Sequence, residues 1–124
     1  MASTPQFTTT PRVVCVRMSA GNTARDGSGT LYKLDLGRAN GTLVAWIAFQ
    51  ALGPTNPGAL RVFIDGQLFQ EVATQGQAVG SMVAEAHALE FPSSQPVILG
   101  EGQVLQVSTN NAESWNVIGF MGDF

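Results

Sequence analysis

Residues 100–124, GEGQVLQVSTNNAESWNVIGFMGDF, close the chain and carry the fold assignment. Residues 103–109 and 115–121 are runs of β-forming side chains, and the Gly and Asn residues around them are turn formers rather than helix formers. Two strands ending a helix-poor, turn-punctuated chain are the ending of a small β-sandwich. No motif in this stretch names a reaction.

The same grammar extends upstream. Residues 97–99 form a short apolar run behind a turn bracketed by Pro92 and Pro96. The clearest local signal is ALRVFIDGQLFQEVA, residues 59–73, in which Asp65-Gly66 supplies the two positive φ angles that a two-residue type I′ hairpin turn requires. That register sets Phe63 opposite Leu68 and Val62 opposite Phe69. Residues 12–18 alternate, with Val14, Val16 and Met18 on one face and Val13, Cys15 and Arg17 on the other. Tyr32, Leu34 and Leu36 alternate with Lys33 and Asp35, which marks a half-exposed strand within residues 30–36. Asn40-Gly41 turns the chain into residues 43–49, apolar on both faces through Val44, Trp46, Ile47 and Phe49, as expected of a central strand. Residues 81–91, SMVAEAHALEF, combine helix-favouring Ala and Glu with a length that also suits a strand, and they are read as strand. Residues 53–58 hold two Pro and two Gly and form a loop.

About nine short strands, with turns roughly every 8–12 residues and no segment read as helix, predict an all-β fold: a single antiparallel β-sandwich, jelly-roll-like, with eight or nine strands. The chain of 124 residues is one domain's worth, long enough to bury about two thirds of the surface its unfolded form exposes. Residues 12–124 are assigned to this sandwich. Residues 1–11 hold four Thr and two Pro around a single Phe7 and are read as a flexible N-terminal arm, either a frayed end or a tail that orders on a neighbour.

Composition limits the function. Charged residues are 12% of the chain, so Ser, Thr, Asn and Gln must cover much of the surface, and such a surface is readily desolvated against another subunit. All six bases, Arg12, Arg17, Arg25, Lys33, Arg38 and Arg61, lie in the first half. Residues 1–61 therefore carry net +4 and residues 62–124 net −7, an asymmetry that either cancels as strands interleave or makes subunits complementary head to tail. An overall charge of −3 argues against nucleic-acid binding. The single Cys15 excludes an internal disulfide and reads as a small buried hydrophobe. The N-terminus lacks the pattern of a signal peptide and no apolar run approaches the roughly 20 residues of a membrane span, so no membrane partner is expected and synthesis in the cytoplasm is. Asn40-Gly41-Thr42 matches a glycosylation acceptor but reads as a turn.

Chemistry-bearing constellations are missing. One histidine, His87, cannot build the multi-histidine metal site of a cupin-type jelly roll, and no G-x-S-x-G elbow accompanies it. Asp26-Gly27-Ser28-Gly29 lacks the further ligands of a calcium loop and the Gly-Lys-Ser/Thr of a phosphate loop. Neither catalysis nor a cofactor or metal is expected. Trp46 and Trp115 sit where core is expected, and a carbohydrate site on loop aromatics and Asn stays open.

Residues Asn22-Thr23-Ala24-Arg25-Asp26-Gly27-Ser28-Gly29-Thr30, Gly58-Ala59-Leu60-Arg61-Val62-Phe63-Ile64-Asp65-Gly66 and Asn110-Asn111-Ala112-Glu113-Ser114-Trp115-Asn116-Val117, with the terminal Gly122-Asp123-Phe124, resemble small virion structural proteins of tailed bacteriophages and prophages. That resemblance implies a head decoration or cement protein, bound to the major capsid protein and to copies of itself in the virion. A tail, baseplate or neck component, or a carbohydrate-binding receptor-facing module, is the alternative. Leu99-Gly100-Glu101-Gly102-Gln103-Val104-Leu105 and the late Gly119-Phe120 are also similar to the trimeric jelly rolls of tumour-necrosis-factor and C1q type, which implies a homotrimer. The interface residues expected on this reading are Thr4, Phe7, Arg12, Arg25 and Arg38.

Overall fold

A computed structural model describes residues 8–78, 80, 82–92 and 94–124. Nine strands follow one another: β1 (Thr10–Met18), β2 (Tyr32–Leu36), β3 (Thr42–Ala51), β4 (Gly58–Ile64), β5 (Gln67–Thr74), β6 (Ala86–Glu90), β7 (Val97–Leu99), β8 (Val104–Thr109) and β9 (Trp115–Asp123). They form two sheets, one ordered β1-β9-β3-β6 with β7 also paired to β3, the other ordered β2-β8-β4-β5. All the strand pairings are antiparallel. Only the β4–β5 hairpin and the β6–β7 step stay within one sheet. This alternation of sheets is the jelly-roll arrangement, and it makes the all-β antiparallel sandwich a property of the molecule.

The two sheets close on one core. Met18, Val44, Ile47, Phe49, Trp115 and Val117 from the first sheet meet Leu60, Val62, Leu105 and Val107 from the second, all essentially without solvent contact. The strands alternate as a half-buried pleat demands, so the partners of these residues face outward. The β4–β5 turn has Asp65 at φ 51° and Gly66 at φ 76°, the positive pair expected from Asp-Gly. Phe63 faces Leu68, but Val62 faces Gln70 rather than Phe69, because a bulge inserts Phe69 between the two pairs.

Four further expectations are revised. Strand β1 opens at Thr10, two residues before the sandwich boundary read from the sequence, because the ladder to β9 runs out to Thr10 opposite Asp123. Among the described residues of the 81–91 segment only 86–90 are strand, and Glu85 ends the β5–β6 connection. Cys15 is exposed, as its place on the Val13 face requires, and is not a core residue. Trp46 is also outside the core, at 36% exposure, because a bulge at Ala45 shifts the alternation of β3: Val44 pairs with Met121, and Trp46 with the next outward residue, Phe120. Trp115 is buried as expected. Among the described residues no helix is long and apolar enough to cross a membrane.

Candidate interaction surface

The outer faces of the two sheets differ. Over the second sheet runs the β1–β2 connection, held by its own hydrogen bonds. Asn22 donates from Nδ2 to the carbonyls of Ser28 (3.0 Å) and Thr30 (2.9 Å), and the Tyr32 hydroxyl accepts from the Ala20 amide at 2.9 Å. This connection is tied to the sheet by Arg61, which is buried and donates to the Asn22 carbonyl (3.1 Å), to Asn110 Oδ1 (3.2 Å) and to Glu71 Oε1 (3.2 Å). Phe63, which shares the outward side of β4 with Arg61, is fully buried. Asp26 accepts from the Ser28 amide and hydroxyl and makes a plain Asx turn.

On the first sheet the outward residues of four strands form a grid. One row is Val13, Phe120, Trp46 and Glu90; the next is Cys15, Ile118, Ala48 and Ala88; the third is Arg17, Asn116, Gln50 and Ala86. Below the first row, Leu43 stands beside Gly122 and Ile98. Val13 is 62% and Ile98 46% exposed. The Trp46 and Phe120 rings stack at 4.1 Å with an interplanar angle of 6°. Towards β6, Ala45, Trp46, Glu90, Phe91 and Pro92 line an open slot of about 440 Å³. At Gly122 the incoming chain crosses this face: a Cβ there would lie 2.2 Å from Thr8 Oγ1, so only glycine admits the crossing.

Of the expected interface residues, Arg12 points inward to the end of the sandwich. It donates from Nε to Asp123 Oδ2 at 2.9 Å and from Nη2 to the Leu36 carbonyl at 3.2 Å, and it contacts Asp35. Thr42 donates to Asp123 Oδ1 at 2.7 Å. The Arg12 hydrogen bond, against the cost of burial and with help from Thr42, holds the Asp123 carboxyl below the usual carboxylate range. Arg25 is exposed and lies 2.5 Å from Glu71 Oε1; Arg38 is exposed, 3.8 Å from Asp35 Oδ1. Thr4 and Phe7 lie outside the described residues. The sequence halves of opposite charge thus pair within one subunit through Arg12–Asp123, Arg25–Glu71 and Arg61–Glu71. Arg17 and Glu90 are left on the bare face without an opposite charge among the described residues.

The acidic and imidazole groups most apt for chemistry are spent on structure. Glu85, 8% exposed, accepts from Thr55 Oγ1 (2.6 Å), the Gln75 amide (2.9 Å) and the Gly76 amide (3.1 Å), and lies 2.5 Å from His87 Nε2. Burial opposes its ionisation, but the hydrogen bonds of Thr55, His87, Gln75 and Gly76 outweigh it and bring its pKa to about 2. This cage ties the β3–β4 and β5–β6 connections to the start of β6. Neither the cage nor the bare face carried a sequence motif; the alternation along β1 and β9 was the only available sign of the latter. Among the described residues no group of three or more His, Cys, Asp or Glu could hold a metal ion.

No protein-family model and no curated protein match this chain. Among solved structures it is similar to a chain in the capsid of Ralstonia phage GP4, with a TM-score of 0.54 and 14% identity over 100% of this chain and 91% of that one. At that identity the likeness is one of fold, and it spans the whole of this chain.

Proposed function

We propose that this protein is a structural component of a bacteriophage virion, of the head decoration or cement type, that binds the major capsid protein as a homotrimer and has no catalytic role. It is made in the host cytoplasm and works in the particle. The observation that carries this reading is the likeness of fold, over the whole of this chain, to a chain of a phage capsid. The distribution of chemistry is in keeping with it. The sole histidine and its carboxylate hold loops together, and among the described residues the outer face of the first sheet is apolar and nearly uncharged, as suits repeated weak contacts that act together. On this reading residues 1–7, the N-terminal arm with Thr4 and Phe7, reach a neighbouring subunit. Arg25 and Arg38, which are exposed, contribute at that contact, whereas Arg12 acts as an internal strut for Asp123.

The experiment is localisation in the assembled particle. Labelled protein should decorate heads at regular sites, and deletion of residues 1–7 should weaken that attachment while leaving the melting temperature of the free protein nearly unchanged. Label on the tail, or binding to a glycan array without binding to heads, would overturn the assignment.

A further inference from the structure

We infer that the outer face of the five-stranded sheet is the surface through which copies of this chain associate, with Arg17 of one copy seated against Trp46 and Glu90 of the next. The inference rests on the self-assembly in the proposed function and gives it a surface and a specific contact.

Three observations carry it. First, among the described residues the β1–β2 connection covers the second sheet over β4, where Arg61 and Phe63 are buried, while on the first sheet Val13, Ile98 and Trp46 are exposed with Ile118 and Phe120 half-buried beside them. A contiguous apolar patch of this kind is uncommon on a free monomer and marks a contact surface. Second, its two charges are complementary and stand at opposite corners. Arg17 is on the β1 edge in the row of Gln50, and Glu90 is on the β6 edge in the row of Trp46. Arg17 has only a 3.3 Å hydrogen bond to Asn116 Oδ1. Third, the Glu90 corner is shaped for a guanidinium. Phe120 covers one face of Trp46, and the slot by Glu90 and Phe91 opens beside that residue. A planar cation there meets an aromatic surface and a carboxylate together, a pairing that suits Arg better than Lys.

The dimensions close on three copies. Three strand spacings separate the β1 and β6 edges and four residues separate the two rows, each about 14 Å, so the Arg17–Glu90 diagonal is about 20 Å. Three such faces, each joined to the next from Arg17 to Glu90, make a triangular prism whose walls lie about 6 Å from its axis, close to half of the ~10 Å between packed sheets. Trp46, Phe120, Ile118 and Ala48 then fill the axis, the strands tilt by about 45° to it, and the head-to-tail contact closes rather than propagates.

Sedimentation velocity and light scattering from about 1 to about 100 μM test this on the full chain. The wild type should show three times the subunit mass of 13.1 kDa. Arg17→Glu and Glu90→Arg should each weaken association by about tenfold or more, and the double charge exchange should restore it to within a few-fold, which a merely structural role would not do. Both side chains are at the surface, so the circular dichroism of the dissociated variants should stay that of the wild type. A wild type that stays monomeric, or an oligomer unmoved by either exchange, would overturn the inference. Neither result bears on where the protein sits in the particle, which labelling reads independently.

Discussion

Replacing Glu85 by Gln tests the one buried carboxylate that organises an end of the sandwich. The carboxylate takes three hydrogen bonds from Thr55, Gln75 and Gly76 and sits against His87. Glutamine keeps one acceptor oxygen and turns the other position into a donor, so at least one of these groups faces another donor. The pKa moves from 4.5 to about 2, despite burial, through those hydrogen bonds, and at 1.36 kcal/mol per unit this corresponds to about 3 kcal/mol. Because the folded-state value is depressed, the contribution is complete above the unfolded value near 4.5 and drains away as pH falls towards 2. Urea unfolding at pH 7 should therefore show E85Q less stable by about 3 kcal/mol, and by only about 1 kcal/mol at pH 3. For a chain of this length the pH 7 loss lowers the melting midpoint by roughly 10 °C. An equal loss at both pH values would refute the role of the charge, and no loss at pH 7 would refute the cage itself.

At the β4–β5 turn, Gly66→Val should cost roughly 1–3 kcal/mol by urea unfolding; nothing lies within 4 Å of the added Cβ, so the whole effect is backbone strain at φ 76°. Gly122→Ala should dislodge Thr8 and speed hydrogen exchange at the Thr9 amide, which bonds the Asp123 carbonyl at 2.8 Å, while the β3–β9 ladder amides keep their protection. EDTA should leave the thermal midpoint unchanged, and a fall would reveal a cation that stabilises the fold.

The fold was legible in the sequence because its main signals are local. Asp65-Gly66 needs only its own two φ angles, and the alternation of β1 and the double-sided apolarity of β3 survive in the structure. What failed to show were the places where one residue shifts the phase. The bulge at Ala45 turns Trp46 from the core to the surface, and that at Phe69 moves the partner of Val62 to Gln70. A bulge is fixed by the strand opposite, which a single sequence does not display. Cys15 departs from expectation for a different reason: its apolar neighbours suggest burial, although its own parity with Val13 and Arg17 places it outside. The Glu85 cage was invisible because its donors come from positions 55, 75, 76 and 87, two of them backbone amides that any residue could supply.

The Trp46 shift also bears on function. Had β3 kept simple alternation, Trp46 would have entered a core already filled by Phe49, Trp115 and Ile47, and the outer row of the first sheet would have lost its largest side chain. The extra residue at Ala45 instead sets the indole on Phe120, opposite Glu90, and its carbonyl accepts the Phe91 amide at 2.9 Å, which holds one wall of the slot. One inserted residue therefore places the aromatic surface, the carboxylate and the slot at the same corner, while the Glu85 cage pins the start of the strand that carries Glu90. Arg12, Arg25 and Arg61 are paired inside the subunit, whereas Arg17 and Glu90 stand on the outer face of the first sheet and confer direction on a face that is otherwise uncharged among the described residues.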